Sequence, residues 1–552
     1  MTDFEPIPYR IRIGVTGHRT LPDPDQTREQ VRLALNTLLP TLFSETGLRK
    51  IERMRGLGTT PIAYSVLSPL AEGADRAVAR AVLDYPGARL DVVLPLAPQE
   101  YRRDFDTQAS RQEFETLLSQ CRRPVVLPSP TGAGDPRTAA YEAAGQFVVD
   151  QCDVLIAVWD GEPSKGRGGT AEIVEYARQQ QRPIIRVWEE TAGVIDRGNG
   201  LDVSALDIID RFNTTSISPE AADRCRADIE RDYFGSPSAG VLNANRAFQA
   251  AKNLVAQWLI PGYIKASVLA ERNQKRFYSA GYSIYGLSAM AVACVAMAVL
   301  VPGWAMAGYS LELVLLLLIG FHVLRSRFQH SHQFWMENRF LTERLRCGVF
   351  LVLCGVDPEP IAILPFMGHA HSVNDWTVRV FDEIWNRLPK LAPCTPAECG
   401  ALSRYAGETW IGGQERYHAK KQKNEKRSRE RLERIGNIIL PATILAAMLH
   451  LAPAAFSGLE WDSWFRDALT MIALVFPPIA ASLAGVQAFR EHLRLEKRSA
   501  NMVPQLRKLQ AKMQSVHDPD RFVAVLRQMD EMMLRESQDW LMLMRDVEIK
   551  SG

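Results

Sequence analysis

The chain has 552 residues, with 65 basic against 63 acidic side chains and a formal charge of +2. That balance excludes a strongly basic nucleic-acid clamp and a strongly acidic solvating chain, though not a local patch. The length corresponds to about three or four domains at roughly 150 residues each, and a hydrophobic content of 47% with a mean hydropathy of −0.12 is that of an ordinary soluble protein.

The N-terminal stretch MTDFEPIPYRIRIGVTGHR has no apolar signal-peptide core, so the front of the protein is expected in the cytosol. From 10 to 190, short runs rich in Val and Ile recur: RIRIGVT, IAYSVLS, RLDVVLPL, PVVLP, DVLIAVW and PIIRVW. They are near-continuous in apolar residues, as strands buried on both faces are. Helix-like segments alternate with them, around 25–46, 74–84, 108–121, 137–151 and 170–180. The alternation predicts an α/β Rossmann-like domain with a parallel sheet over 1–195. Residues 196–240 are polar and weakly patterned and are expected to be a linker.

The character then changes. The stretch 279–301 carries no charge, and 303–324 carries one acid, Glu312. Each is long enough, at about 1.5 Å per residue, to cross a hydrocarbon layer of about 30 Å. The short link between them predicts a transmembrane hairpin, which with its preceding cytosolic helix makes a region 241–330. A second hairpin is expected over 436–489, from 436–456 and 467–489. A buried helix in a large soluble protein is the alternative for each stretch alone, and the matched pairs argue against it. Lys and Arg concentrate in ERNQKR, RSRF, KKQKNEKRSRERLER and REHLRLEKR beside the spans, while the hairpin tips are neutral or acidic. By the positive-inside rule both termini and the 331–435 helical region are cytosolic. The all-α membrane part closes with cytosolic helices over 490–552, including an apolar three- and four-residue pattern in FVAVLRQMDEMMLRESQDWLMLM.

Three motifs fall at strand ends. GVTGHR supplies Gly14, Thr16, Gly17, His18 and Arg19; a glycine there lets a backbone approach a phosphate, or simply makes a turn. LAEGADR places Glu72, Gly73 and Asp75 where a strand becomes a helix, with Asp75 either favouring the helix dipole or bonding a ribose hydroxyl. WDGEPSKGRGGTAEIVE brings Asp160, Gly161, Arg167, Gly168, Gly169, Thr170 and Glu172 around a glycine-rich loop and a helix N-terminus, a ready anion site. In open α/β sheets the carboxyl ends of the strands bind ligands, so the convergence of the three predicts a nucleotide-type pocket. Metal chemistry has little support. The eight cysteines form no CxxC, Cys394 and Cys399 have no completing cluster, and none of the ten histidines stands in HExxH. Glu312 and His450 are polar groups inside spans, candidates for a pore or for helix contacts.

Together, GVTGHR, LAEGADR, LPLAPQEYRRDF and DVLIAVWDGEPSKGRGGTAE resemble the SLOG superfamily of nucleotide-sensing domains, over about 10–190. RNQKRFYSAGYSIYGLS, WMENRFLTERLR and LRESQDWLMLM resemble the SLATT transmembrane effectors associated with SLOG domains in bacteria; a SLATT unit typically has one hairpin, and this chain has two candidates. The resemblance implies a bacterial antiphage or conflict-system effector at the inner membrane. In it a SLOG domain senses a cyclic-nucleotide or ADP-ribose-type signal made by a partner enzyme, and an oligomeric membrane part responds by permeabilising the bilayer. No other cofactor and no direct nucleic-acid partner are implied. Lonely-guy-type phosphoribohydrolases of the superfamily carry PGGxGTxxE. Here GRGGTAEIVE places its carboxylates at Glu172 and Glu175, off that spacing, so a ligand sensor is favoured over an N-glycosidic hydrolase using either glutamate.

Overall fold

The computed structural model describes residues 4–128, 135–163, 168–188, 193–301, 303–329, 331–358, 375–391, 393–456 and 461–545. The chain forms two compact units. Unit 1 comprises Met1–Ser216, Leu254–Gly262 and Asp357–Ala392, and unit 2 comprises Ile217–Asn253, Tyr263–Val356 and Pro393–Gly552.

Unit 1 is a seven-stranded sheet built from β1 (Tyr9–Gly17), β2 (Ile62–Ser68), β3 (Arg89–Leu94), β4 (Val125–Val126), β5 (Val154–Val158), β6 (Ile184–Val187) and β7 (Val194–Asp196). Its order is β4-β3-β2-β1-β5-β6-β7. The first six strands run parallel, with Ile13 of β1 level with Val66 of β2 and Val154 of β5; β7 is antiparallel to β6. Every residue of β5, VLIAV, is buried, as a central parallel strand covered on both faces requires. The connecting helices are α1 (Pro24–Thr37), α2 (Glu45–Leu57), α3 (Ala74–Leu83), the short α4 (Pro98–Tyr101), α5 (Gln108–Gln120), α6 (Pro136–Gln151), α7 (Thr170–Gln179) and α8 (Ser204–Thr214). Local chemistry sets their starts. Asp23 and Asp135 each accept two backbone N–H bonds ahead of a proline at the first helical position, and Ser44 accepts from Gly47 N.

A remote segment completes this unit. In the helix Trp376–Asn386, the Arg379 Nη2 lies 2.6 Å from Asp153 Oδ1, and both side chains are almost fully buried. Arg379 also donates to the Arg10 carbonyl, and Glu383 pairs with Arg10 Nε at 2.6 Å. Burial alone would raise the Asp153 carboxyl, but Arg379 and Arg12 beside it hold it below the usual carboxylate range. The sheet unit therefore begins as expected and extends beyond 195. It takes in residues to 216 and a helix from the 331–435 region, expected to be cytosolic and helical. The physical reason is this buried charge cluster, which ties β1 and β5 to a helix more than two hundred residues away.

Unit 2 is helical: α9 (Pro219–Ile229), α10 (Pro237–Leu242), α11 (Arg246–Leu254), α12 (Ile260–Leu300), α13 (Ala305–Gln329) and α14 (Ser331–Leu353), then, after the Trp376–Asn386 helix as α15, α16 (Pro396–Tyr405), α17 (Gly412–Ala455), α18 (Ser463–Arg490), α19 (His492–Gln514) and α20 (Pro519–Arg545). The ends of α11 and the start of α12 fall to unit 1. Residues 196–240, expected as a linker, hold α8, α9 and α10, the last two started by Ser218-Pro219 and Ser236-Pro237 caps. Four continuous helical segments, Arg246–Leu300, Ala305–Arg325, Pro396–Pro453 and Ser463–Gln514, are long and apolar enough to cross a membrane. No more than 22% of any of their most apolar windows is buried within the protein. Leu313, Leu317, Leu440 and Leu451 are each about half exposed or more. Such continuous apolar surface is unstable in water and matches a lipid environment.

Small residues bring these helices together. A Cβ on Gly281 of α12 would lie 2.4 Å from the Phe489 ring of α18, and one on Gly485 would lie 2.4 Å from Tyr285. One on Gly308 of α13 would lie 2.5 Å from Ala298 of α12. Glycine at each crossing lets backbones approach where apolar burial between helices supplies no drive in lipid. Below them Phe277, Trp335, Phe489 and Trp540 form an aromatic core.

Candidate functional site

The sheet order reverses direction between β1 and β5. After β1 the chain proceeds outward to one side through β2, β3 and β4, then returns to β5 on the other side. Loops leaving such a pair diverge, which opens a crevice at the carboxyl ends of the strands. A cleft of about 670 Å³ lies there. Its floor is the end of β1, Val15 to Thr20; one wall holds Asp75 and Tyr101, another Thr138 and Tyr141 of α6, and the last Trp159 and Asp160 after β5, Gly168 to Ala171 and Trp188.

All three predicted motifs reach this region, but not every residue in them faces the cleft. Thr16, Gly17, His18 and Arg19 line it. His18 Nε2 lies 3.1 Å from Asp160 Oδ1, and its ring stands edge-on to Trp188 at 5.0 Å. Asp160 also accepts from Glu162 N at 2.9 Å; that bond and His18 hold its carboxyl below the usual range. The Arg19 guanidinium lies over the Tyr141 ring at 5.3 Å, and no carboxylate pairs with it among the described residues. Gly168, Gly169 and Thr170 line the cleft at the start of α7, whose N-cap, Gly169, has no side chain to satisfy the first amides. Amides and dipole there favour an anion. Glu172 does not line the cleft: its Oε2 accepts from Gly168 N at 2.6 Å. It serves the loop's own backbone as an internal anion.

Asp75 lines the cleft and is buried at 6% exposure; Oδ2 accepts from Ala71 N at 3.0 Å. Burial pushes its carboxyl up to about 7, against the lowering effect of the Ala71 amide, Arg19 and Arg76.

Other predicted residues are structural. Gly14 lies in β1 away from the cleft, where a Cβ would fall 2.8 Å from both Val148 and Cys152, so its small size admits α6. Gly73 has φ +75°, and a Cβ would lie 2.3 Å from the Arg19 carbonyl; it is required for the turn into α3 rather than for ligand access. Glu72 is bonded to Ser110 Oγ, next to the buried Arg76 that also reaches Ser110 and Glu113. Gly161, at φ +98°, is outside the cleft lining. Glu175 is exposed, lies 3.6 Å from Arg178 and does not line the cleft. Arg167 falls outside the described residues. Glu312 is half-buried on α13 and His450 is exposed on α17, both on helices apolar enough to span, with no polar partner among the described residues.

The residues that sequence reasoning missed are the aromatic ones. Tyr101 is 0% exposed, and its hydroxyl has no hydrogen-bond partner among the described residues. An unsatisfied buried hydroxyl costs about 1–3 kcal/mol, and this one belongs to a residue of the cleft wall. Tyr141 and Trp188 offer faces for a planar ring. Tyr101 stood within the LAPQEYRRDF run and Trp188 at the end of a predicted strand, so their position at strand ends was the available signal. Among the described residues no group of His, Cys, Asp and Glu could hold a metal ion. All eight cysteines are free thiols. No protein-family model matches the chain, and no curated protein matches it.

Proposed function

We propose that the chain is a nucleotide-gated membrane effector. The observation that carries this is one polypeptide holding both a switch-point cleft, with an unpaired Arg19, uncapped α7 amides and an unpartnered Tyr101 hydroxyl, and four helices apolar enough to span a bilayer. A ligand of cyclic-nucleotide or ADP-ribose type would place phosphate at Arg19 and α7 and its base among Tyr141 and Trp188. Its ribose would sit at Asp75. The four helices act as two transmembrane hairpins, α12–α13 and α17–α18, with both termini on the cytosolic side of a bacterial inner membrane. The glycine crossings Gly281/Phe489 and Gly485/Tyr285 support packing of one hairpin against the other. Several chains around an axis would enclose a path that four helices cannot. The SLOG and SLATT resemblances favour a role for such an effector in antiphage defence, downstream of an enzyme that makes the nucleotide. A ligand opens the membrane part only by binding the open form more tightly than the closed one.

The test is dye release from liposomes carrying the full chain, on addition of cyclic mono- and dinucleotides and ADP-ribose. Release with one of them, abolished by Arg19→Glu, is expected. Vesicles that stay sealed with every nucleotide sink the proposal.

A second reading, a nucleotide N-glycosidase, is favoured by one observation. Asp75, not Glu172 or Glu175, is the carboxyl in the cleft poised near neutrality. Incubating the full chain with nucleoside monophosphates or NAD should then release free base, and Asp75→Asn should stop it. Recovery of intact nucleotide excludes this reading.

A further inference from the structure

Unit 2 contains its own cavity of about 600 Å³, unrelated to the cleft just described and lined only by residues of this unit. Two π-helical turns, Glu230–Phe234 and Ala406–Ile411, contribute to its lining. Such turns break the regular backbone bonding of a helix and are enriched at functional sites.

The wall chemistry is specific. Phe350 and Trp410 are stacked at 5.2 Å with an interplanar angle of 6°. Trp410 is 1% exposed, and its Nε1–H has no acceptor among the described residues. Arg346 is fixed from three sides: Nη1 to Glu343 at 2.7 Å, Nε to Tyr233 Oη at 3.2 Å and Nη2 to Tyr263 Oη at 3.4 Å. At the mouth stand Arg416 and Lys420, both exposed. Arg416 has only the Glu408 carbonyl, at 3.4 Å, and among the described residues neither cation is paired with a carboxylate. A seam that merely packs helices has no need of an orphaned indole donor deep inside or of two uncompensated cations at its mouth.

We infer that this cavity is a second ligand site, for a soluble phosphorylated molecule bearing an aromatic ring, of the nucleotide class. The ring enters the aromatic wall where Trp410 can donate to it, and the phosphates meet Arg416 and Lys420. A volume near 600 Å³ accommodates a mononucleotide. A lipid headgroup is the competing source of phosphate, and distance argues against it. The lining residues Ser267 of α12 and Lys420 of α17 precede the apolar stretches that begin at 279 and 436 by about 18 and 24 Å of helix. With the membrane placed at those stretches, as proposed above, the headgroup layer of about 5–8 Å does not reach the cavity. The site therefore sits on the stems of two span-carrying helices, where occupancy would bear on their packing.

The experiment uses the full chain in detergent micelles with a fluorescent probe, N-methylanthraniloyl-ATP, titrated to millimolar concentration. Arg416→Glu with Lys420→Glu, both surface changes, should weaken one class of binding by about tenfold or more. Arg19→Glu, in the other cleft, should leave that class unchanged, so a failure of the cleft reading and a failure of this one are told apart. Binding that is insensitive to Arg416→Glu/Lys420→Glu, or absent altogether, overturns the inference. So does probe displacement in nanodiscs when phosphatidylglycerol replaces part of the phosphatidylcholine, which would assign the site to lipid.

Discussion

Replacing Tyr101 by Phe removes one oxygen and nothing else. The ring is packed against Phe105 at 5.2 Å and Phe114 at 5.7 Å, and these contacts survive in the variant. The hydroxyl is wholly buried with no partner among the described residues. Burying it unsatisfied costs about 1–3 kcal/mol, so the ligand-free Phe variant should be more stable by about 1 kcal/mol, a rise of roughly 2–4 °C in melting temperature for a unit of this size. With ligand bound the sign reverses. If the hydroxyl bonds a ligand, the variant loses one hydrogen bond of about 0.5–1.5 kcal/mol, a weakening of about two- to tenfold. The two effects are measured together, by thermal unfolding of the full chain with and without the nucleotide that binds the cleft. A variant that melts lower without ligand, or binds with undiminished affinity, refutes the argument: the hydroxyl would then have a partner inside the protein or no role in the cleft.

Three further changes probe the framework around the site. Gly73→Ala should cost more than about 2 kcal/mol, because the positive φ and the nearby Arg19 carbonyl act together; Gly161→Ala, at positive φ but facing only the flexible end of Arg186, should cost less in the same melting assay. Arg379→Met leaves the Asp153 carboxylate with only Arg12, at 3.6 Å, and should destabilise unit 1 by up to about 3 kcal/mol, with Asp153→Asn in the same chain restoring part of it; urea unfolding followed by hydrogen exchange over β1 and β5 reads this. Gly281→Leu should separate α12 from α18, lowering melting temperature in detergent, whereas Gly286→Leu, with nothing within 4 Å, should not.

The strands of the parallel sheet were legible because a doubly covered strand is apolar along its covered length, and β5 is written that way throughout and β1, β2 and β3 in their later, fully buried stretches. β7 was not, being three residues, VID, on an edge with only Ile195 half-buried. The helices within 196–240 carried their signals in Ser-Pro caps, but their short apolar faces were too weak to stand out. The Arg379–Asp153 tie could not be read at all: two charged residues 226 positions apart show no pattern until the fold brings them together. At the cleft, glycine motifs marked the strand ends, and Gly17, Gly168 and Gly169 line it while Gly14, Gly73 and Gly161 do not. Gly14 and Gly73 are small for packing and turning, and Tyr101, Tyr141 and Trp188, which carry no motif, also line the cleft. The apolar helices were the most legible feature of all, since a run of over twenty uncharged residues needs no partner to be recognised.

Asp75 is a cleft carboxyl whose charge changes near neutral pH. Its carboxyl is pushed up to about 7 by burial, while Arg19 and Arg76 pull the other way. An unfolded aspartate titrates near about 3.9, so between about pH 4 and 7 the folded form holds a proton that the unfolded form has lost. Unliganded stability of unit 1 should accordingly fall as pH rises through that window, and Asp75→Asn should remove this slope. Ligand binding has the opposite dependence if a ribose hydroxyl donates to the carboxylate, because only ionised Asp75 accepts. With a value near 7, about a tenth of the molecules are ionised at pH 6 and about nine tenths at pH 8, so apparent affinity should rise by nearly tenfold between them. His18 and Asp160 face the same cleft, and comparison with Asp75→Asn isolates the aspartate: the variant's profile should be flat over this range. Affinity that instead rises toward low pH in the parent and levels in the Asn variant would mean that Asp75 repels a phosphate. The ribose would then have to be placed elsewhere in the cleft, and the N-glycosidase reading would gain the ground that the sensor reading lost.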